Sequence, residues 1–337
     1  MTDRRSRAGI ACCLSLAFAS LSPGPFATPA AAAEAADALY PSRPIHIVVP
    51  QAAGGAVDIV TRMLADRIAA ALNCTVVVEN KPGANGVIGT QAVKDAAPDG
   101  YTLLAASSST HAMAPHTMRQ IPYDALNDFV PIVNVAYTIK VVMVSPALPV
   151  RTLAEFIAYA RDRPGVLNYG STGFGSSTHL DVELFAADTG LRLVHVPYRS
   201  APQHNQALVN NEVQLVIGSL TTALGLLQSG KLRALAIVSD RRTPLLPDVP
   251  TIEEAGLRGF DVRTWIGLVA PSGTPERIVE TLNRTVNDAL REPSVQRWIG
   301  ALGLGLIGGT PVQFERQLRS DYAHWGEVVT RLGLLPE

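Results

Sequence analysis

The chain has 337 residues, 47% of them hydrophobic, and a formal charge of −1. That is ample for one large packed core or two moderate ones, and it excludes a disordered chain or a fibrous repeat. Near-neutral charge without a basic stripe gives no reason to expect nucleic acid as a partner.

The N-terminus differs in kind from the rest. Arg4-Arg5-Ser-Arg7 precedes an apolar run from Ala8 to Leu21, and an alanine-rich stretch follows from Ala27. This is the charged, apolar and small-residue order of a secretory signal, so residues 1–33 are read as a cleaved signal peptide, with the cut between Ala32 and Ala36. The run is too short to anchor the chain, since a span needs about 20 apolar residues. An exported product is expected. Arg4-Arg5 alone does not separate twin-arginine from ordinary export. Cys12 and Cys13 leave with the signal, so the remaining Cys74 can form no internal disulfide and reads as a small buried hydrophobe. Losing one Asp and three Arg takes the charge to about −3.

Along the mature chain the pattern opens strand, helix, strand. Ile45–Val49 runs through Pro50-Gln-Ala-Ala-Gly54-Gly55 into a helix reaching about Leu72, and Thr75–Glu79 is extended again. Lys81–Gly86 turns, Val87–Asp95 is helical, and Tyr101–Ala106 is a strand. Two further strands, Val130–Tyr137 and Lys140–Ser145, are expected to be joined by a two-residue turn. At Pro146 the pattern restarts. Thr152-Leu-Ala-Glu155 is a capping box. Strands at Val166–Tyr169, Leu193–Val196, Val213–Ile217 and Leu232–Val238 alternate with helices and make a second α/β unit.

A short helix at Ile252–Ala255 and an extended run at Val262–Ala270 follow. Two amphipathic helices, carrying Ile278, Val279, Leu282, Val286 and Leu290 and then Phe314, Leu318, Tyr322, Trp325 and Val329, are expected to cover the first sheet. The expected division is residues 34–144 and 241–337 in one lobe and 145–240 in the other.

Three Gly/Ser/Thr-rich loops each follow a strand and open a helix: Gln51–Asp58, Ser107–His111 and Gly170–Thr178. Ligands bind at this end of open α/β sheets. Gly54-Gly55 lets backbone N–H groups approach a ligand, and the helix start behind them favours an anion. The same residues also make an ordinary tight connection capped by Asp58. A cleft lined from both lobes by N–H and hydroxyl donors suits a small carboxylate.

Gly-Gly-x-x-Asp lacks G-x-G-x-x-G, and no Gly-Lys-Ser/Thr follows. Gly170–Ser177 lacks G-x-S-x-G. His46, His111, His116, His179, His195, His204 and His324 show no metal-ligand spacing and read as packed or surface side chains. No metal, cofactor or enzymatic activity is expected; a competing enzyme would use Asp58 or His179 as its base.

The stretches Tyr40–Pro50 with Gly54-Gly55-x-x-Asp58, Val76–Gly86, Pro98–Leu104, Leu167–Ser171 with Ser177–Leu180, His195–Tyr198, Gly230–Ala236 and Leu246–Thr251 resemble the Bug-type, TctC-like receptors of tripartite tricarboxylate transport systems. The resemblance implies a two-lobed, type II-like periplasmic binding protein. Each lobe would be a mostly parallel sheet flanked by helices, with the ligand cleft between lobes. It implies a monomer that closes on a small carboxylate and delivers it to permease subunits; a receptor reporting to a sensor is not separated from this.

Carried over by position, Gln51, Ala52, Ala53, Gly54, Gly55 and Asp58 form the first clamp. Ser108, Ser109 and Thr110 form the neighbouring loop, and Ser171, Thr172, Ser176, Ser177 and Thr178 the second clamp.

Three departures stand out. Gln51-Ala52-Ala53 replaces an aromatic residue and two prolines, Arg199–Ala207 replaces a small-residue run with an aspartate, and Ile217-Gly-Ser219 replaces an acidic strand end. Without those acids a ligand amine loses its commonest anchor. Arg199 either supplies a second charge for a dicarboxylate or is a solvated surface residue. Closure is expected about crossings near Val144 and Arg263.

Overall fold

The structure, a computed structural model, describes residues 40–334. The expected signal peptide, its cleavage site, Cys12 and Cys13 lie outside the described residues. From Pro41 onward the described chain forms one compact unit with two sheets.

Strand β1 (Ile45–Val49) is buried at every position except the exposed His46, as suits a central parallel strand, and pairs in parallel with β2 (Val76–Asn80) and β3 (Thr102–Ser107). The helix Ala56–Leu72 between β1 and β2 buries Val60, Leu64 and Ile68 and ends at Asn73 in the left-handed conformation, φ 49°.

After β4 (Phe129–Thr138) the expected hairpin does not form. Thr138-Ile139-Lys140 has none of the Gly, Asn or Asp residues that a tight turn needs, so the chain stays extended. It leaves the first sheet at Ile139, and β5 (Lys140–Val144) enters the second. The change of sheet therefore precedes the boundary expected at residue 144.

Strands β6 (Asn168–Ser171), β7 (Val194–Pro197), β8 (Leu215–Ser219) and β9 (Arg233–Val238) complete the second sheet. Residues 241–262 remain with it: Thr251 bridges Ile237, and Ile252, Phe260 and Val262 join its core. Ile252–Ala255 makes turns, not the expected helix. The return to the first sheet comes at β10 (Thr264–Pro271), later than residue 241, and β11 (Leu304–Leu306) closes that sheet's edge.

The strand orders are β11-β4-β10-β3-β1-β2 and β7-β6-β8-β5-β9. Both sheets are mixed. The parallel pairing expected for most of each sheet holds for β1–β3 and for β6–β8, where helices connect the strands. It gives way at β4, β5 and β10, which carry the chain across between sheets and pair antiparallel.

Helix Glu276–Arg291 buries the expected Ile278, Val279, Leu282, Val286 and Leu290. The terminal helix Pro311–Leu332 does more than cover the first sheet. Phe314 and Leu318 pack with Trp265 and Val269, whereas Trp325, Val328 and Val329 pack with Leu180, Phe185 and Val142 of the second core. It straps both sheets.

Candidate ligand-binding cleft

A cavity of about 750 Å³ lies where the strand-tip loops of the two sheets meet. From the first sheet, Gln51, Ala52, Ala53, Gly55 and Ser109 line it; from the second, Thr172, Ser176, Ser177, Thr178 and Arg199. The remaining expected residues, Gly54, Asp58, Ser108, Thr110 and Ser171, are not in the wall; they hold the loops from behind.

In the first loop Gly54 takes φ +80°, open to glycine, and its N–H donates to Asp58 Oδ2 at 2.9 Å. Asn80 Nδ2 donates to Asp58 Oδ1 at 3.0 Å and to the Gln51 carbonyl at 3.1 Å, and Arg62 lies 2.9 Å from Oδ1. Burial pushes the Asp58 carboxyl up, but Arg62, Gly54 and Asn80 outweigh it and leave it below its ordinary value. Asp58 is thus a tether for the loop, not a base facing the cavity. Gln51 Nε2 donates to Ser107 Oγ at 3.1 Å, while its Oε1 is buried without a partner.

In the neighbouring loop only Ser109 of the three expected residues faces the cavity. Ser108 Oγ accepts from the Trp265 N–H at 3.0 Å, and Thr110 Oγ1 donates to the Ser107 carbonyl at 3.0 Å. His111, fully buried against Tyr123, Phe129 and Trp265, is held neutral by burial, down to about 3.

The second loop is a mesh of hydroxyls. Ser176 Oγ accepts from the His179 N–H as an N-cap and donates to the Gly173 carbonyl at 2.6 Å. Thr178 Oγ1 accepts from the Thr172 N–H at 2.9 Å. Ser171 turns inward, its Oγ 2.5 Å from His195 Nε2. His195 stacks on Tyr169, and His179 lies 4.3 Å from His195 between ring centroids. Burial, with His195 adding to it, holds His179 down to about 4. Both bases of the competing enzyme reading, Asp58 and His179, therefore stand outside the cavity wall.

Sequence reasoning missed several lining residues. Asn85 donates its amide N–H to the Phe174 carbonyl of the second loop, and a Cβ on Gly175 would meet Thr117 Oγ1 at 2.5 Å, so the two rims touch. Lys140, 3% exposed, lines the cavity and pairs with the fully buried Asp181. Its signal was a lone lysine at the head of an apolar strand. His204 and Ser219 also line the wall. Among the described residues the charged side chains in the wall are Lys140 and the exposed Arg199, and no carboxylate side chain joins them.

Two mixed α/β sheets with a loop-lined cavity between their strand tips define a solute-binding receptor of the periplasmic binding protein class. The chain belongs to the family described as the tripartite tricarboxylate transporter family receptor, whose profile matches residues 60–334. It is 37% identical over 308 residues to Protein BugT of Bordetella pertussis, covering 91% of this chain and 94% of that one. Among solved structures it is similar to R. palustris Rpa4515 with adipate, at a TM-score of 0.85 and 34% identity, covering 88% of this chain and 100% of the other. MatC from Rhodopseudomonas palustris with bound malate matches at a TM-score of 0.81 and 33% identity, over 86% of this chain and 100% of that chain. Among the described residues no helix is long and apolar enough to cross a membrane.

Proposed function

We propose that the protein is a periplasmic receptor that binds a small organic carboxylate in this cleft and delivers it to a tripartite tricarboxylate-type permease. The observation that carries the reading is the chemistry of the wall: hydroxyl groups from both sheets, the exposed Arg199 cation, a Lys140 already paired with Asp181 behind it, and no carboxylate side chain in the wall. An anion is favoured there, and an ammonium group has no counter-charge. The adipate and malate of the two Rhodopseudomonas proteins are ligands of this chemical type.

The two sheets act as lobes that close on the ligand about Ile139 and the segment before Thr264. This moves the first crossing from Val144 and keeps the second beside Arg263. The Asn85–Phe174 hydrogen bond belongs to the closed form, and a ligand bridging both walls stabilises that form by its preference for it.

The test uses protein exported and processed from the full chain, melted with carboxylic acids and with their neutral amides. A ligand at 100 times its Kd adds about 2.7 kcal/mol of stability. Acids are expected to raise the Tm and to compact the molecule in small-angle scattering. Stabilisation by the neutral amides alone would sink the anion reading, and stabilisation without compaction would sink the closure.

A further inference from the structure

Part of the second-sheet wall belongs to neither clamp. His204, on the helix Ala201–Val209, lines the cavity, is 1% exposed, and makes no well-formed hydrogen bond at either ring nitrogen, the adjoining Asn205 side chain acting on it only as a minor influence. Ser219, at the tip of β8, lines the same cavity, and its Oγ is also buried and unpartnered.

Two glycines make the seat for the ring. A Cβ on Gly170 would stand 3.1 Å from His204 Cβ, and one on Gly218 would stand 3.6 Å from His204 Cε1. The imidazole therefore lies against the tips of β6 and β8, the end of the sheet where ligands bind. Buried polar groups are normally satisfied, so three buried, unpartnered atoms on two residues that line the cavity are costly unless a ligand seated there reaches and completes them.

The charge of the site narrows what that something is. Lys140 is neutralised by Asp181, and the Arg199 side chain is exposed. Burial holds His204 down to about 4, against a smaller opposing pull from the Asn205 side chain, so the ring is neutral. A neutral imidazole offers one N–H donor and one bare nitrogen acceptor, and a serine hydroxyl does both. A carboxylate only accepts and would leave the bare nitrogen unmatched; a methyl group would match nothing.

We propose that His204 and Ser219 form a distal subsite that selects carboxylates whose far end is an uncharged group able both to donate and to accept a hydrogen bond, a hydroxyl or a carboxamide. This rests on the carboxylate reading of the cleft and sharpens it.

Isothermal titration of the processed protein tests it with straight-chain carboxylates, matched at each length and ending in methyl, hydroxyl, carboxamide or carboxylate. Matched compounds with no carboxylate at all complete the set. At one length the hydroxyl- or carboxamide-ended acid is expected to bind about tenfold or more tighter than the methyl- and carboxylate-ended acids, a ratio worth about 1.4 kcal/mol. His204→Phe and Ser219→Ala should each reduce that ratio to about threefold or less, while His204→Gln, which keeps a donor and an acceptor, should retain most of it.

Equal binding of the methyl-ended acid, tightest binding of the carboxylate-ended acid, or an unchanged ratio in folded His204→Phe and Ser219→Ala would overturn the subsite. Binding of the carboxylate-free compounds in place of the acids would instead overturn the carboxylate reading beneath it, and silence from every compound would overturn both.

Discussion

Asp58 beneath the first clamp and Asp181 behind the second are both buried, 4% and 0% exposed, and each faces a cation. For both, burial is the largest influence and pushes the carboxyl up. At Asp58 a guanidinium, a backbone N–H and an amide together overcome it, and the group ends below its ordinary value. At Asp181 the attraction of Lys140 does not suffice: Oδ1 has no partner, and the carboxyl ends well above its ordinary value while the lysine is lowered. The number of donors, more than the presence of a cation, decides how well a buried carboxylate is accommodated. The first clamp is tethered by a satisfied charge, the second by an expensive pair beside the sheet crossing at Ile139.

The largest expected effect breaks that pair. Asp181→Leu leaves Lys140 charged and unpaired in the interior and should cost about 3–5 kcal/mol in urea denaturation. Adding Lys140→Met removes the stranded charge and should restore most of the loss. If the double variant were as unstable as the single one, the pair would be holding the fold by more than mutual neutralisation.

Asp58→Asn probes the other member of the comparison. It places an N–H₂ group against the Gly54 N–H or the Asn80 amide, so one donor in the tether loses its acceptor. A cost of about 1–3 kcal/mol is expected, with weaker carboxylate binding because the Gln51–Gly55 loop is no longer pinned. Full affinity in a correctly folded Asp58→Asn variant would show that the tether does not shape the wall.

These two carboxylates also show what the sequence could tell. The β1–loop–helix unit was legible because apolar period, glycine turn and helix start all agree over Ile45–Leu72, and Asp58 stood at the end of a motif. Whether it faced a ligand or the loop's own backbone was not legible, since a capping residue and a site residue share one position at a helix start. The same ambiguity hid the inward turn of Ser108, Thr110 and Ser171. Lys140 was invisible as a lining residue because its partner Asp181 lies 41 positions away. The supposed hairpin at Ile139 failed for a related reason: alternation and apolarity mark a strand but not the sheet it joins.

Acid separates the two clamps by pH window. His179, behind the second clamp, is held to about 4, and His111 to about 3, against an ordinary 6.5. Between those values the unfolded chain takes up protons that these rings refuse in the native state, so their contribution to stability rises with pH from about 4 to 6.5 and is lost as pH falls through that range, while Asp181, raised to about 7, works in the opposite direction. Asp58 works lower: its contribution is present above 3.8 and is lost only as pH falls through its still lower folded value. His179→Gln should therefore flatten the upper window by up to about 1.4 kcal/mol per pH unit, and Asp58→Asn should leave that window's slope alone. A slope unchanged by His179→Gln in urea titrations would mean that this ring is not held neutral.

The smallest expected effect lies at Gln51, the residue that sets this first clamp apart from the family's aromatic and prolines. Its Nε2 reaches Ser107 Oγ, and its Oε1 is buried with no donor. An anion cannot satisfy that oxygen. Ser107 can donate as well as accept, so rotation of the amide lets Oε1 accept from the serine hydroxyl and turns the N–H₂ group toward a carboxylate. One neutral hydrogen bond of this kind contributes about 0.5–1.5 kcal/mol, so Gln51→Ala should weaken carboxylate binding by about threefold to tenfold with little change in Tm. Gln51→Glu, which keeps the shape but sets a like charge against the ligand, should weaken it further. Equal or tighter binding by Gln51→Glu at neutral pH would place the ligand's negative end elsewhere and leave the donors of the second clamp to hold it.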